Sequence, residues 1–363
     1  MPQLEEDDIR AAVSAGILSE AQAAGLLALF RQRRGIRRHM AAEDEPFEFF
    51  RGFSEIFVTA GLALLLGGIL AQMLIAGAGA AVPFVGLAAT FALSFYFIRR
   101  RRMNLPGMLL AACFGIFLSA ATLALATENT PDLVTLPRLV GLVGMAGMAA
   151  HFALFRLPFS MFVFGVFGWI TTYAFITEDR LGLWRNLPES LFDLAGESSL
   201  ASGSLIFGLA AFALGIFFDM RDPHRVSRWS ATGFWLHVLA APALVNTAAM
   251  TLYNRGDTTG YVLTAALLLV VTLLSLIIDR RSFMAAGLVY LGALIAVALG
   301  RDGSGAGNGI VATMLILGAF ITALGSWWVR IRDWLMRNLP DFPLKDRLPP
   351  YSCSVVSATE DTR

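Results

Sequence analysis

The chain has 363 residues, of which 56% are apolar and only 15% charged, and its mean hydropathy is +0.66. A soluble domain typically carries about 25% charged residues, so this composition excludes an ordinary soluble protein and indicates one embedded in lipid. The net charge is +1 and no part of the chain forms a distinct basic domain, so the sequence argues against a nucleic-acid partner.

Residues 1–45 predict a small helical hairpin in water, followed by a linker. Acidic residues open the first helix, where the helix dipole favours negative charge, and Gly16 is placed to end it. Ser19 and Gln22 have the spacing of a capping box, which predicts that a second helix starts there. We expect residues 4–38 to form one folded unit, which offers a surface for a protein partner.

Three short motifs give the opening of the chain a resemblance to a known group. They are Gly-Ile-Leu-Ser-x-x-Gln at 16–22, Asp-Glu-Pro-Phe at 44–47 and Gly-Phe-x-x-Ile-Phe-Val at 52–58. The opening resembles that of uncharacterised bacterial multi-spanning membrane proteins whose N-terminal helical-hairpin domain has no known function. The resemblance covers about the first sixty residues and the general helix count, and it implies no activity and no site residue.

Residues 46–339 predict an all-α, polytopic transmembrane helix bundle. Ten apolar runs are long enough to cross about 30 Å of hydrocarbon, at 53–76, 82–98, 105–126, 138–155, 158–177, 201–218, 230–252, 261–278, 283–299 and 310–329. The first run starts near Phe53, too late for a cleavable signal peptide, so we expect the first span to act as the signal anchor.

The basic residues predict the orientation of these ten spans. With the N-terminus in the cytoplasm, only five of the 28 Lys and Arg residues fall in outer loops, namely Arg138, Arg180, Arg185, Arg255 and Arg301. This is the bias of the positive-inside rule. We therefore expect a multi-pass protein of the bacterial inner membrane with both termini in the cytoplasm.

Two segments beside the spans predict surface helices. Residues 330–339 place Ile331, Trp334 and Leu335 on one face and arginines on the other, as in a helix lying on the cytoplasmic surface. Leucines at i+4 spacing in the outer loop 178–200 suggest a second, shorter one. The polar residues 340–363 predict a disordered cytoplasmic tail.

Polar side chains inside the apolar runs are the candidate site residues, because polar groups at such depth are costly and often mark a pathway. Gln72 lies in the first run, His151 in the fourth, and His237 and Asn246 in the seventh, on either side of Pro242. A kinked helix carrying His and Asn suits a cavity, but both side chains also serve as interhelical hydrogen-bonding groups.

Other chemistry finds little support in the sequence. Nucleotide-binding, serine-hydrolase and zinc-protease motifs are absent. His151 and His237 fall at comparable predicted depth, as bis-histidine haem ligation requires, yet no supporting motif accompanies them, so we expect no cofactor and no metal. Glu55 is expected to be interfacial, beside Arg51 one turn earlier.

Three functions compete at this point. A small-molecule or lipid transporter or flippase would use the polar residues near the middle of the bundle. A non-transporting sensor or assembly scaffold would use the N-terminal hairpin to bind a partner. A membrane enzyme acting on lipid-linked substrates would need an acidic cluster at the outer surface. The sequence leaves substrate and oligomeric state open.

The ten-span topology predicts the readout of reporter fusions. Fusions that should report the outer side are those after Ala126, Gly196 and Gly256. Fusions that should report the cytoplasm are those after Arg102, Asp222 and Arg281. A reversed signal at any one position would contradict the model, because one missed helix inverts everything after it.

Overall fold

The computed structural model describes residues 6–33, 53–127, 135–176, 191–196, 199–225, 227–300, 306–343 and 345–349. The linker at 34–52, most of the outer loop 178–200 with the surface helix expected there, and residues 350–363 of the tail lie outside these ranges. The described part of the tail, expected to be disordered, contains a short 3-10 helix at Lys345–Arg347.

The described chain is all-α and contains no strand, which confirms the expected fold class. Its twelve helices are α1 Glu6–Ser14, α2 Glu20–Arg33, α3 Phe53–Ile75, α4 Val82–Ser94, α5 Asn104–Thr127, α6 Thr135–Phe155, α7 Phe159–Ile176, α8 Leu200–Asp219, α9 Arg228–Tyr253, α10 Thr258–Ile278, α11 Arg281–Gly300 and α12 Ala306–Asn338.

Nine helices in the described ranges are long and apolar enough to cross a membrane, and each matches a predicted span. The remaining predicted span, 283–299, coincides with the 20-residue helix α11, whose described apolar part is Arg281–Ala296. Helix α12 continues without a break to Asn338, so the segment expected as a separate surface helix is its last part.

The N-terminal hairpin has the predicted caps. The Ser19 backbone N–H donates to Gln22 Oε1 (3.0 Å), and the Gln22 N–H donates to Ser19 Oγ (3.2 Å), which confirms the capping box. Gly16 ends α1 in the left-handed region, with φ +71°, where a side chain would be strained. Ile9, Ala23 and Leu27 form the small core between the two helices.

The described contacts divide the chain into two compact units. We call Phe47–Phe212 with Val238–Thr247 the aromatic unit, and Met1–Pro46, Ala213–His237 and Ala248–Arg363 the charged unit. Helices α8 and α9 contribute residues to both.

Phenylalanines fill the core of the aromatic unit, around the fully buried Met148. A Cβ added at Gly144 on α6 would overlap the Phe167 ring on α7, so the glycine is required for the close approach of these two helices. The rings of Phe91 and Phe155, 5.7 Å apart and edge to face, extend the same core to α4.

Glu55 is a buried helix cap in the aromatic unit. Its side chain lies at the start of α3 and accepts hydrogen bonds from the backbone N–H groups of Asn104 (3.3 Å) and Leu105 (3.1 Å), the first two residues of α5. A carboxylate there satisfies N–H groups that the helix leaves unbonded and complements its positive dipole end. Arg51, its expected partner, lies outside the described residues.

Ser19→Ala tests the hairpin cap. The change leaves the Gln22 N–H without its acceptor and should cost about 1 kcal/mol of local stability. In hydrogen–deuterium exchange of the full chain in detergent, the α2 amides should therefore exchange about fivefold faster. Ser14→Ala is the control, because the Ser14 hydroxyl donates to a carbonyl of its own helix. Equal exchange in the two variants would contradict the capping role.

Candidate functional site: a buried cluster of Asp, Arg and His

Asp219, the last residue of α8, lies at the centre of the candidate site, in the charged unit. Arg280, in the turn between α10 and α11, donates to both of its oxygens, from Nε to Oδ2 (3.1 Å) and from a terminal nitrogen to Oδ1 (2.5 Å). Only 8% of Asp219 and 2% of Arg280 is exposed. A bidentate pair of this kind is the strongest geometry available to an arginine and a carboxylate.

His237 on α9 is the third member of the group. Its Nε2 lies 2.9 Å from Asp219 Oδ2, and the ring is fully buried with an edge-to-face contact to Phe283. Because an ionised carboxylate only accepts hydrogen bonds, Nε2 carries a proton in this pair. His237 stands nine residues after Arg228, which places it about 14 Å along α9 from that end.

Two glycines make room for this pair. A Cβ at Gly215 on α8 would meet the His237 ring at 2.7 Å, and a Cβ at Gly233 on α9 would overlap the Asp219 carboxylate. Each glycine precedes its polar residue by four positions, so glycine and polar side chain share one helix face. The missing side chains let α8 and α9 approach closely around the buried charges.

Asp222 and Ser230 extend the cluster around the start of α9. One Asp222 oxygen accepts from the Ser227 N–H (2.9 Å) and the Ser227 hydroxyl (2.8 Å). Ser227 Oγ in turn accepts from the Trp229 N–H as the N-cap of α9. Arg280 also donates to the Ser230 carbonyl (3.0 Å), which ties the α10–α11 turn to the first turn of α9.

Asp279, next to Arg280, is surrounded by a second set of hydrogen-bond donors. Arg225 approaches one oxygen at 3.1 Å, while the other accepts from Trp328 Nε1 at 2.7 Å and lies 3.8 Å from Arg332. Burial alone acts to raise the pKa of Asp279, but Arg225, Arg332 and the Trp328 N–H outweigh it and hold the pKa below its ordinary value. Asp279 ends α10 in the left-handed region (φ 55°).

Together these residues form what we call the Asp–Arg cluster: Asp219, Asp222, Asp279, Arg225, Arg280 and Arg332, with His237 beside Asp219. Three carboxylates balance three guanidinium groups, so an ionised cluster with neutral His237 carries no net charge. Its members come from three segments that the positive-inside count assigns to the cytoplasm, and the structure brings these segments together at one end of their helices.

His151, in the aromatic unit, has different surroundings. It is 2% exposed, lies against the Phe155 ring (4.5 Å between centroids), and its Nδ1 is 2.9 Å from Ser160 Oγ. Among the described residues no hydrogen-bond partner reaches its Nε2. The structure thus places His151 and His237 in separate units with different partners.

The other candidate residues do not join the cluster. Asn246 is half-buried on α9, which runs as one helix through Pro242, and Gln72 is exposed on α3. Whether either lines a transport path stays a prediction. Within the described ranges, no three His, Cys, Asp or Glu side chains converge as they would to hold a metal ion.

The acidic half of the site is not predictable from polar residues inside the apolar runs, because Asp219 and Asp279 lie just beyond those runs. In the sequence, the arginines at 225, 280 and 332 indicate only the topology. A usable signal was present: a glycine stands one turn before Asp219, and another stands one turn before His237.

Comparison of the chain with family models, curated proteins and solved structures finds no match. The fold supports a helical membrane protein with many spans. The resemblance noted at residues 16–58 stays a prediction.

Asp279→Asn should make the unfolding free energy depend less on pH in the acidic range. Because folding lowers the pKa of Asp279 below 3.8, its ionised form stabilises the fold fully at neutral pH, and this contribution is lost as the pH falls from that value through the lower pKa of the folded state. At pH 7 the variant should lose about 3 kcal/mol of unfolding free energy, since Arg225 remains buried with a weakened partner. The difference should shrink as the pH falls below about 4.

The measurement is equilibrium unfolding in dodecyl maltoside micelles from pH 7 to pH 3. Asp341→Asn is the matched control, because the Asp341 side chain is 99% exposed. A stability difference between Asp279→Asn and the wild type that stayed constant over this range would contradict the assignment.

Proposed function

We propose that this protein is a proton-responsive transporter or flippase of the bacterial inner membrane, with both termini in the cytoplasm, and that the Asp–Arg cluster with His237 forms its cytoplasmic gate. The basic residues support the orientation. The resemblance of the first sixty residues to bacterial multi-spanning proteins supports the location. Its cargo is a small molecule or a lipid that passes through the interior of the helix bundle.

The observation that carries this proposal is the shared carboxylate of Asp219. Ionisable side chains within membrane helices are costly, and in pumps and transporters they form proton relays. His237 lies within α9, and Asp219 ends α8. Asp219 binds Arg280 and His237 at once. Of the three side chains, histidine is the one whose ordinary titration range includes physiological pH.

Proton uptake by His237 would unbalance the cluster. With His237 neutral, the three carboxylates and three guanidinium groups match in number. An imidazolium adds a positive charge that must share the Asp219 carboxylate with Arg280, and two cations at one carboxylate repel each other. Protonation therefore favours release of the turn that carries Arg280 from α8 and α9, and loss of the proton restores the contact.

The runner-up is a sensor or assembly scaffold whose hairpin binds a partner. Two hairpin residues, Ile17 and Leu26, are apolar and exposed, at 74% and 39%. Burial, and then the nearby Asp222 carboxylate, raise the pKa of Glu20 at the start of α2, while His224 acts in the opposite direction. The hairpin thus lies within electrostatic reach of the loop that leads to the cluster.

Reconstitution of the purified full chain into vesicles tests the transporter. The probes are pyranine, which reports internal pH, and fluorescent phosphatidylethanolamine and phosphatidylglycerol, whose flipping is read by dithionite quenching. We expect the wild type to accelerate proton flux, lipid flipping or both over protein-free vesicles, with a rate that responds to a pH gradient.

Three variants locate the effect in the cluster. His237→Gln keeps an N–H donor but cannot titrate, so the rate should persist and lose its response to the pH gradient. Asp219→Asn should reduce the rate at least tenfold, because Arg280 and His237 lose their shared charge. Asp333→Asn removes a carboxylate from the Asp333–Arg337 pair and should change nothing.

Wild-type vesicles indistinguishable from protein-free vesicles with both probes would contradict the transporter and favour the scaffold. A wild-type response to pH that survives in His237→Gln would remove His237 from the gate.

A further inference from the structure

Four consecutive arginines follow the membrane-spanning part of α4. Residues Phe95–Arg100 form a π-helical turn, and the Arg101 N–H donates to the Tyr96 carbonyl, five residues back. Arg156, just after α6, belongs to the same end, because Arg99 donates to the Leu154 carbonyl in the last turn of α6 (2.8 Å). We call Arg99, Arg100, Arg101 and Arg156 the arginine patch; all four are exposed.

Aromatic rings hold two of these guanidinium groups in place. Arg99 lies over the Phe95 ring at 5.8 Å, and Arg101 lies over the Tyr96 ring at 5.6 Å while its Nε donates to the Tyr96 hydroxyl (3.1 Å). A guanidinium has five N–H donors, so most donors of both groups stay available after these contacts. A tyrosine at the end of a span, such as Tyr96, is typical of the headgroup level of the bilayer.

The described segments that carry the patch contain few carboxylates. Between 53 and 127, and again between 135 and 176, the sequence contains one acidic residue, Glu55. That side chain is 4% exposed, and each of its oxygens accepts a backbone N–H at the start of α5. Within those two segments, the four guanidinium groups of the patch therefore outnumber the carboxylates.

We propose that the arginine patch binds the phosphate group of anionic phospholipids in the adjoining leaflet. Arginine is the side chain best suited to phosphate, because its planar fork donates two parallel hydrogen bonds. The rings of Phe91 on α4 and Phe95 in the π-helical turn are each about two-fifths exposed, and they precede Arg99 at four-residue spacing. An acyl chain can lie along these rings while the headgroup reaches the guanidinium groups.

This surface is separate from the proposed gate. It lies in the aromatic unit and contains no member of the Asp–Arg cluster. It also assigns a ligand to residues whose charge otherwise only sets the topology. The apolar rings beside the arginines favour a lipid over a soluble anion, because a soluble anion gains nothing from them.

Lipid titration of the delipidated full chain in detergent, followed by native mass spectrometry, tests the proposal. The probes are phosphatidylglycerol and phosphatidylcholine with identical acyl chains, at constant ionic strength. We expect tighter binding of phosphatidylglycerol, and Arg100→Gln should weaken that binding about fivefold without changing phosphatidylcholine binding.

Arg255→Gln is the matched control, because Arg255 is a half-exposed arginine of the charged unit. It should leave phosphatidylglycerol binding unchanged, and thermal unfolding of both variants checks that each is folded. Equal affinity for the two lipids, or equal losses in the two variants, would overturn the proposal. Displacement of phosphatidylglycerol by millimolar inorganic phosphate would also overturn it, by showing a site for soluble anions.

Discussion

The bidentate contact between Asp219 and Arg280 is the interaction on which the charged unit depends. A buried ionised carboxylate is tolerated only where opposite charge and hydrogen-bond donors surround it. Arg280 supplies two donors and the compensating charge, and His237 supplies a third donor. This requirement fixes the end of α8 against α9 and the α10–α11 turn. It also explains the glycines at 215 and 233, where side chains would exclude the polar groups.

The same physical rule accounts for the other buried carboxylates of the described chain. Glu55 caps α5, Asp222 binds the residue that caps α9, and Asp279 collects two guanidinium groups and an indole N–H. Each sits at a helix end or in a turn, where unbonded backbone groups and flanking arginines are available. Charge thus concentrates at the ends of the spans, and a single added proton at His237 would act on a balanced set of six charges.

The fold followed from the sequence because hydrocarbon thickness and backbone hydrogen bonding leave few alternatives to apolar helices of about twenty residues. The capping box at Ser19 was predictable for a local reason, since its partners are three residues apart. Asp219 and Arg280 are 61 positions apart, and no local sequence pattern predicts which carboxylate an arginine contacts at that separation. The search for polar residues inside apolar runs found His237 and missed Asp219, which lies one residue beyond its run. For Glu55 the local pattern predicts only the nearby Arg51, which lies outside the described residues, and it gives no sign of the hydrogen bonds to the distant start of α5.

A double-mutant cycle on Asp219 and Arg280 measures the central interaction most directly. Unfolding free energies of the wild type, Asp219→Ala, Arg280→Ala and the double variant would be compared in the same micelles. Each single change leaves buried charge without its partner, so each should cost several kcal/mol, and the double variant should cost about 2 kcal/mol less than their sum. Costs that simply add would show that the two side chains do not stabilise each other, which would contradict the account.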